Sequence, residues 1–138
     1  MKYIKIIIFL CVTLILFCLI TYFSMNEYSS EISASCLDCP FLKDVMFFSL
    51  FSSVILTIAL LIIKRLLKNR LLVLIFTIVI FVILAFINNY NIFVDRVSAW
   101  SSFSLEGEIM GVISLSYLYI IISTFLLWSF IKFLKLMN

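Results

Sequence analysis

The chain has no histidine, one proline and two glycines, and its 138 residues carry only 10 basic and 7 acidic side chains. Charged residues make up 12% of the sequence, about half of the quarter or so that keeps a soluble domain wet. A water-soluble globule of this composition is therefore excluded, and lipid must solvate the outer faces. Little glycine and proline also means no linker, repeat or low-complexity tail, so residues 1–138 read as one domain. The net charge of +3 is no nucleic-acid signal, because the basic residues sit at the ends of apolar segments rather than along one face. The lack of histidine, with no aspartate inside an apolar run, removes intramembrane proteolysis.

What is present is hydrophobic length. Apolar residues account for 66% of the chain and the mean hydropathy is +1.32. Four uncharged runs, Ile6–Phe23, Val45–Ile63, Leu71–Ile87 and Ile109–Ile131, are each 17–23 residues long. That length crosses roughly 30 Å of hydrocarbon as a helix. The expected fold is all-α, a polytopic bundle of four transmembrane helices. No ionisable group lies inside any run, so proton-coupled transport, pumping and voltage sensing have no side chain to work with. The four-helix multidrug exporters need a carboxylate in their first span, which this chain lacks.

Charge sets the threading. Lys2 and Lys5 precede the first run, Lys64, Arg65, Lys68 and Arg70 fill the connection 64–70, and Lys132 and Lys135 follow the last run. All seven acids, Glu27, Glu31, Asp38, Asp44, Asp95, Glu106 and Glu108, lie in the two longer loops 24–44 and 88–108, opposed only by Lys43 and Arg96. By the positive-inside rule both termini and the short connection are cytoplasmic, in a bacterial inner membrane, and the two longer loops are periplasmic. The first run is too long for the apolar core of a signal peptide and no small-x-small cleavage site follows it closely. Ser33-Ala34-Ser35-Cys36 lacks the leucine of a lipoprotein cleavage site. The first run is thus expected to stay as a span.

Small residues mark where helices can approach. Ser49, Ser53 and Thr57 repeat every four residues on the second run, and Gly107, Gly111 and Ser114 form a similar strip at the start of the fourth. They serve either the monomer's own bundle or a homo-oligomer. The segment Lys64, Arg65, Lys68 and Arg70 is foremost a topology determinant, and could also contact anionic lipid or an acidic cytosolic partner.

The sharpest motif is Cys36-Leu37-Asp38-Cys39-Pro40, a C-x-x-C at the mouth of the second span. Cys39 stands just ahead of a helix N-terminus, which favours a thiolate. In an oxidising periplasm the pair reads as a structural disulfide, with redox-active thiols as the alternative. Two cysteines cannot fill a tetrahedral metal site unless an oligomer supplies more ligands. No cofactor is expected. The layout resembles the four-helix quinone reductases that reoxidise the periplasmic disulfide oxidant, but those need a second cysteine pair in the second outer loop. Residues 88–108 contain none, and Cys11 and Cys18 lie within the first span.

That second loop is too apolar to be free. Asn88-Asn89-Tyr90-Asn91 is polar and interfacial. Phe93, Trp100 and Phe103 then accompany Asp95 and Arg96, and the segment either lies flat at headgroup level with Trp100 as anchor or forms a docking surface. Glu106-Gly107-Glu108 reads as a solvated turn capping the fourth helix.

By topology and loop arrangement the chain resembles two groups of small bacterial membrane proteins. One is the immunity proteins for pore-forming colicins, with three or four spans, cytoplasmic termini and short loops. The other is the membrane subunits of anti-phage systems of the Kiwa type, oligomeric four-helix proteins that work with a cytosolic effector. A composition rich in Lys, Ile, Phe and Asn fits an AT-rich, mobile bacterial gene. The resemblance implies a non-enzymatic defence protein that senses or blocks a phage component or toxin and self-associates. Alternatives are a thiol-redox membrane protein, an accessory or assembly subunit, and a small holin-like pore.

Overall fold

The computed structural model describes residues 2–134, so that Lys135 lies outside it. Four long helices account for most of them: α1 (Lys2–Met25), α2 (Phe41–Leu66), α3 (Arg70–Arg96) and α4 (Leu105–Phe133). Two short 3-10 turns, Asn26–Tyr28 and Ser98–Trp100, follow α1 and α3. At 1.5 Å per residue, helices of 24–29 residues are about 36–44 Å long, more than the hydrocarbon requires. All four are long and apolar enough to cross a membrane.

Where the helices start follows from local chemistry. Pro40 has extended backbone angles and precedes α2, since its ring provides no N–H for a helix interior. Asn69 caps α3 with its side chain accepting from the Leu71 N–H at 2.9 Å, and Ser104 caps α4 by accepting from the Gly107 N–H at 3.2 Å. Only Leu67, Lys68 and Asn69 separate α2 from α3.

The helices pack in a ring, α1 on α2, α2 on α3, α3 on α4 and α4 back on α1, with α1 also meeting α3 across the diagonal. Large aliphatic and aromatic side chains such as Leu50, Phe51, Ile83 and Phe125 remain exposed on the outside, a surface consistent with helices long and apolar enough to cross a membrane.

The interior has three levels. One apolar cluster, towards the basic end, includes Phe9, Phe17, Leu56, Phe81, Ile120 and Leu127. A second, towards the acidic end, gathers Met25, Phe41, Val45, Ile92, Phe93 and Val112. Between them in sequence, each helix contributes buried polar side chains: Thr21 and Ser24, Ser49, Ser52 and Ser53, Asn88 and Asn89, and Ser116. Ser24, Ser53 and Ser116 bond carbonyls of their own helices, whereas Ser52 donates across to Asn88 Oδ1 at 2.7 Å.

The structure redraws one sequence expectation here and decides between the alternatives of another. Asn88 to Arg96 is not loop but the last turns of α3, because Asn88 finds Ser52 on α2 and Ile92 and Phe93 continue the buried stripe of Phe81 and Ala85. Ser49, Ser53 and Thr57 face the bundle's own interior, so their small volume serves packing within the chain. Gly111 does likewise: a Cβ there would lie 3.2 Å from the Phe93 ring. Gly107 lies near Phe103, and the exposed Ser114 bonds the Gly111 carbonyl.

Candidate recognition surface at the acidic end

The segment from Ser29 to Pro40 contains neither helix nor strand, yet it is fastened at many points. Its backbone pairs with the end of α3: Ala34 N–H donates to the Asp95 carbonyl at 3.0 Å and Ser35 N–H to Asp95 Oδ1 at 2.8 Å. Trp100 Nε1 donates to the Ile32 carbonyl at 2.8 Å. Cys36 and Cys39 are joined by a disulfide around a turn in which Cys39 N–H bonds the Cys36 carbonyl at 3.1 Å. The buried Ser33 hydroxyl accepts from Cys36 N–H.

Arg96 is the centre of this cap. Its side chain is 2% exposed and its Nη2 lies 2.6 Å from Asp44 Oδ2 in the first turn of α2. The same nitrogen donates to the Cys39 carbonyl at 3.2 Å, Nη1 donates to the Glu31 carbonyl, and the guanidinium sits 5.4 Å from the Phe41 ring centre. One planar cation thus ties together the strap, the start of α2 and the end of α3, using the several N–H donors that only arginine carries in a fixed fork. The sequence points to Arg96 as part of a docking surface; burial removes it from there. Phe93 is also buried, with its ring edge-on to Tyr28 and Phe103 at 5.6 and 5.7 Å. Both are internal struts.

Glu108 likewise departs from the expected solvated turn. It accepts from the Tyr90 hydroxyl at 2.8 Å and from Ser98, linking α4 to α3. Three of the seven acids, Asp44, Asp95 and Glu108, are therefore committed to internal contacts.

What the cap presents outward is apolar and acidic. Leu37 is 68% exposed, Trp100 58%, Ile32 57% and Phe103 48%. Glu27, Glu31, Asp38 and Glu106 are exposed at the same end of the chain's fold. Exposed apolar side chains on a multiply fastened backbone, with Trp100 joined to Ile32 through its indole N–H, are suited to protein recognition, since little conformational entropy is lost on docking. Of the residues expected to form a docking surface, the structure keeps Trp100 and Phe103 exposed and gives Asp95 the role of holding the strap.

Sequence reasoning missed the polar level between the two apolar clusters. Among the described residues, Thr21 Oγ1, Ser49 Oγ, Asn88 Nδ2 and both amide atoms of Asn89 are buried with no hydrogen-bond partner. The signal was available: Asn88 continues the helical spacing of Phe81 and Ala85, and the apolar stripe resumes four residues later at Ile92. Comparison of the chain with family models, with curated proteins and with solved structures gives no match.

Proposed function

We propose that the chain is a non-enzymatic, multi-pass protein of a bacterial inner membrane, with both termini and the 64–70 connection in the cytoplasm. Its role is defence: it senses or blocks, at its acidic end, an agent that acts on the membrane, either a phage component or a pore-forming toxin. The single observation that carries this reading is the fastened cap with Ile32, Leu37, Trp100 and Phe103 displayed on it. The exposed carboxylates at that end, Glu27, Glu31, Asp38 and Glu106, favour a partner that carries cationic residues. Self-association and a soluble effector held at the basic end, where Lys64, Arg65, Lys68 and Arg70 concentrate, belong to the same proposal.

The test is survival of cells producing the full chain when challenged with a panel of pore-forming toxins and phages. Protection against a particular agent, lost in Leu37→Glu at unchanged membrane abundance, supports recognition by the cap. Uniform sensitivity across the panel sinks it. Co-purification with a stoichiometric soluble protein, and a defined oligomer by light scattering, test the effector and self-association.

A second reading rests on Lys43, whose Nζ lies 3.4 Å from Cys39 Sγ. An ammonium there, one turn into α2, would stabilise a Cys39 thiolate leaving when an external dithiol attacked Cys36. Under that reading Cys36→Ser abolishes function while fold and abundance persist, and Lys43→Gln slows exchange with a dithiol. Under the recognition reading neither does so.

A further inference from the structure

The turn between α2 and α3 folds around a pocket of about 240 Å³, lined by Lys64, Leu67, Lys68, Arg70 and Val73. Local structure builds it. Leu67 turns out of α2 in an extended conformation, and the Asn69 cap starts α3 at once. Three residues of connection therefore bring Lys68 and Arg70 alongside Lys64 from the last turn of α2. The sequence between Asp44 and Asp95 contains no acidic residue. The positive dipole end of α3 and the negative dipole end of α2 meet there and offset each other, so the field comes from the three cationic side chains. The pocket is built for an anion.

Its two remaining walls narrow the choice. Leu67 and Val73 are aliphatic and both belong to, or pack against, the apolar cluster at the basic end. An inorganic anion or a carboxylate side chain would engage the cations and make no use of these walls. A phospholipid uses both, with its phosphate on Lys64, Lys68 and Arg70 and its glycerol and first methylenes against Leu67 and Val73. The volume is below the roughly 300 Å³ at which pockets for extended ligands begin, which suits a headgroup. The pocket also lies at the ends of two membrane-length helices, the level at which headgroups reside.

We propose that this pocket binds the phosphate headgroup of an anionic phospholipid. The inference stands apart from the role of the acidic end, and either can fail alone. A lipid there competes with the effector proposed above for Lys64, Lys68 and Arg70, and of that basic segment only Arg65 lies outside the pocket lining.

The test uses the purified full chain, delipidated in a non-ionic detergent and titrated with short-chain phosphatidylglycerol or phosphatidylcholine, with bound lipid per protomer counted by native mass spectrometry. Phosphatidylglycerol is expected to occupy one site and to bind about tenfold or more tighter than phosphatidylcholine. Lys68→Gln and Arg70→Gln should each weaken phosphatidylglycerol about fivefold, the worth of one basic residue near an anionic surface, and weaken phosphatidylcholine, whose phosphate is offset by its choline cation, by less. Lys132→Gln is the control: Lys132 lies outside the pocket, over the Trp128 ring at 3.8 Å, and its loss should change nothing. Equal binding of the two lipids by the unmodified chain overturns the proposal without need of any variant. So does an equal loss in Lys132→Gln, which would mean diffuse charge rather than a pocket. Complete displacement of phosphatidylglycerol by millimolar inorganic phosphate would assign the site to a soluble anion and overturn the lipid.

Discussion

Replacing Arg96 by leucine asks whether the cap is held from within. The guanidinium is buried, pairs with Asp44 at 2.6 Å and donates to the carbonyls of Cys39 and Glu31. Deleting one member of a buried ion pair costs about 3–5 kcal/mol, because the partner charge is left uncompensated. Asp44 keeps 17% of its side chain exposed and lies in the first turn of α2, where the helix dipole recovers roughly 0.3–1 kcal/mol. The lower part of the range, about 3 kcal/mol, is therefore expected for Arg96→Leu. Asp44→Leu strands the cation in a less exposed position and should cost about 3–5 kcal/mol. The double variant removes both charges, so its cost should fall short of the two singles added by about 1–3 kcal/mol. The assay is unfolding of the purified chain in mixed micelles with increasing dodecyl sulfate, followed by tryptophan fluorescence, with limited proteolysis of residues 29–40 alongside. Arg96→Leu should expose that strap to cleavage under conditions where the helices persist. Stability within about 0.5 kcal/mol of the parent, or single costs that simply add, would refute the internal clamp.

Other substitutions probe the bundle below the cap. Both amide atoms of Asn89 are buried without partners, so Asn89→Leu should stabilise by about 1 kcal/mol in the same assay; a loss of that size would mean the amide is hydrogen-bonded in the membrane. Gly111→Leu drives a side chain into the Phe93 ring, which a Cβ alone would approach to 3.2 Å, and should cost about 1–3 kcal/mol; an unchanged midpoint would show that α3 and α4 separate easily. Replacing both Cys36 and Cys39 by serine opens a loop of sequence separation 3, and chain entropy puts the cost near about 2 kcal/mol; complete loss of folding would show that the disulfide does more than close the turn.

The number of helices, their apolar middles and the segregation of charge could be read from the sequence, because hydrocarbon thickness and the cost of burying charge act on each segment separately. Helix ends were less legible. α2 begins at Phe41 and α3 runs to Arg96, beyond the uncharged runs, because helices continue past the hydrocarbon wherever side chains find partners. Lys43 and Asp44 therefore lie inside α2, and Asn88 to Arg96 inside α3.

The roles of individual residues divided along the same line. The C-x-x-C pair was legible because both cysteines stand in one short turn. Trp100 and Phe103 could be read as anchor or docking residues of the second loop, but their ties to the Ile32 carbonyl and the Phe93 ring could not. Arg96 could not be read, because its neighbours come from positions 31, 39 and 44, and nothing local to residues 95–97 signals that three distant groups will surround it. The same holds for Asn89, whose burial depends on which face α3 turns inward. Sequence by itself determined that this is a four-helix chain for a membrane, charged differently at its two ends, since those properties arise one segment at a time. Only the tertiary structure decided which polar groups are buried, that the strap is fastened to α3 and that three cations share a pocket, because each of these depends on helices packed at one particular rotation and height.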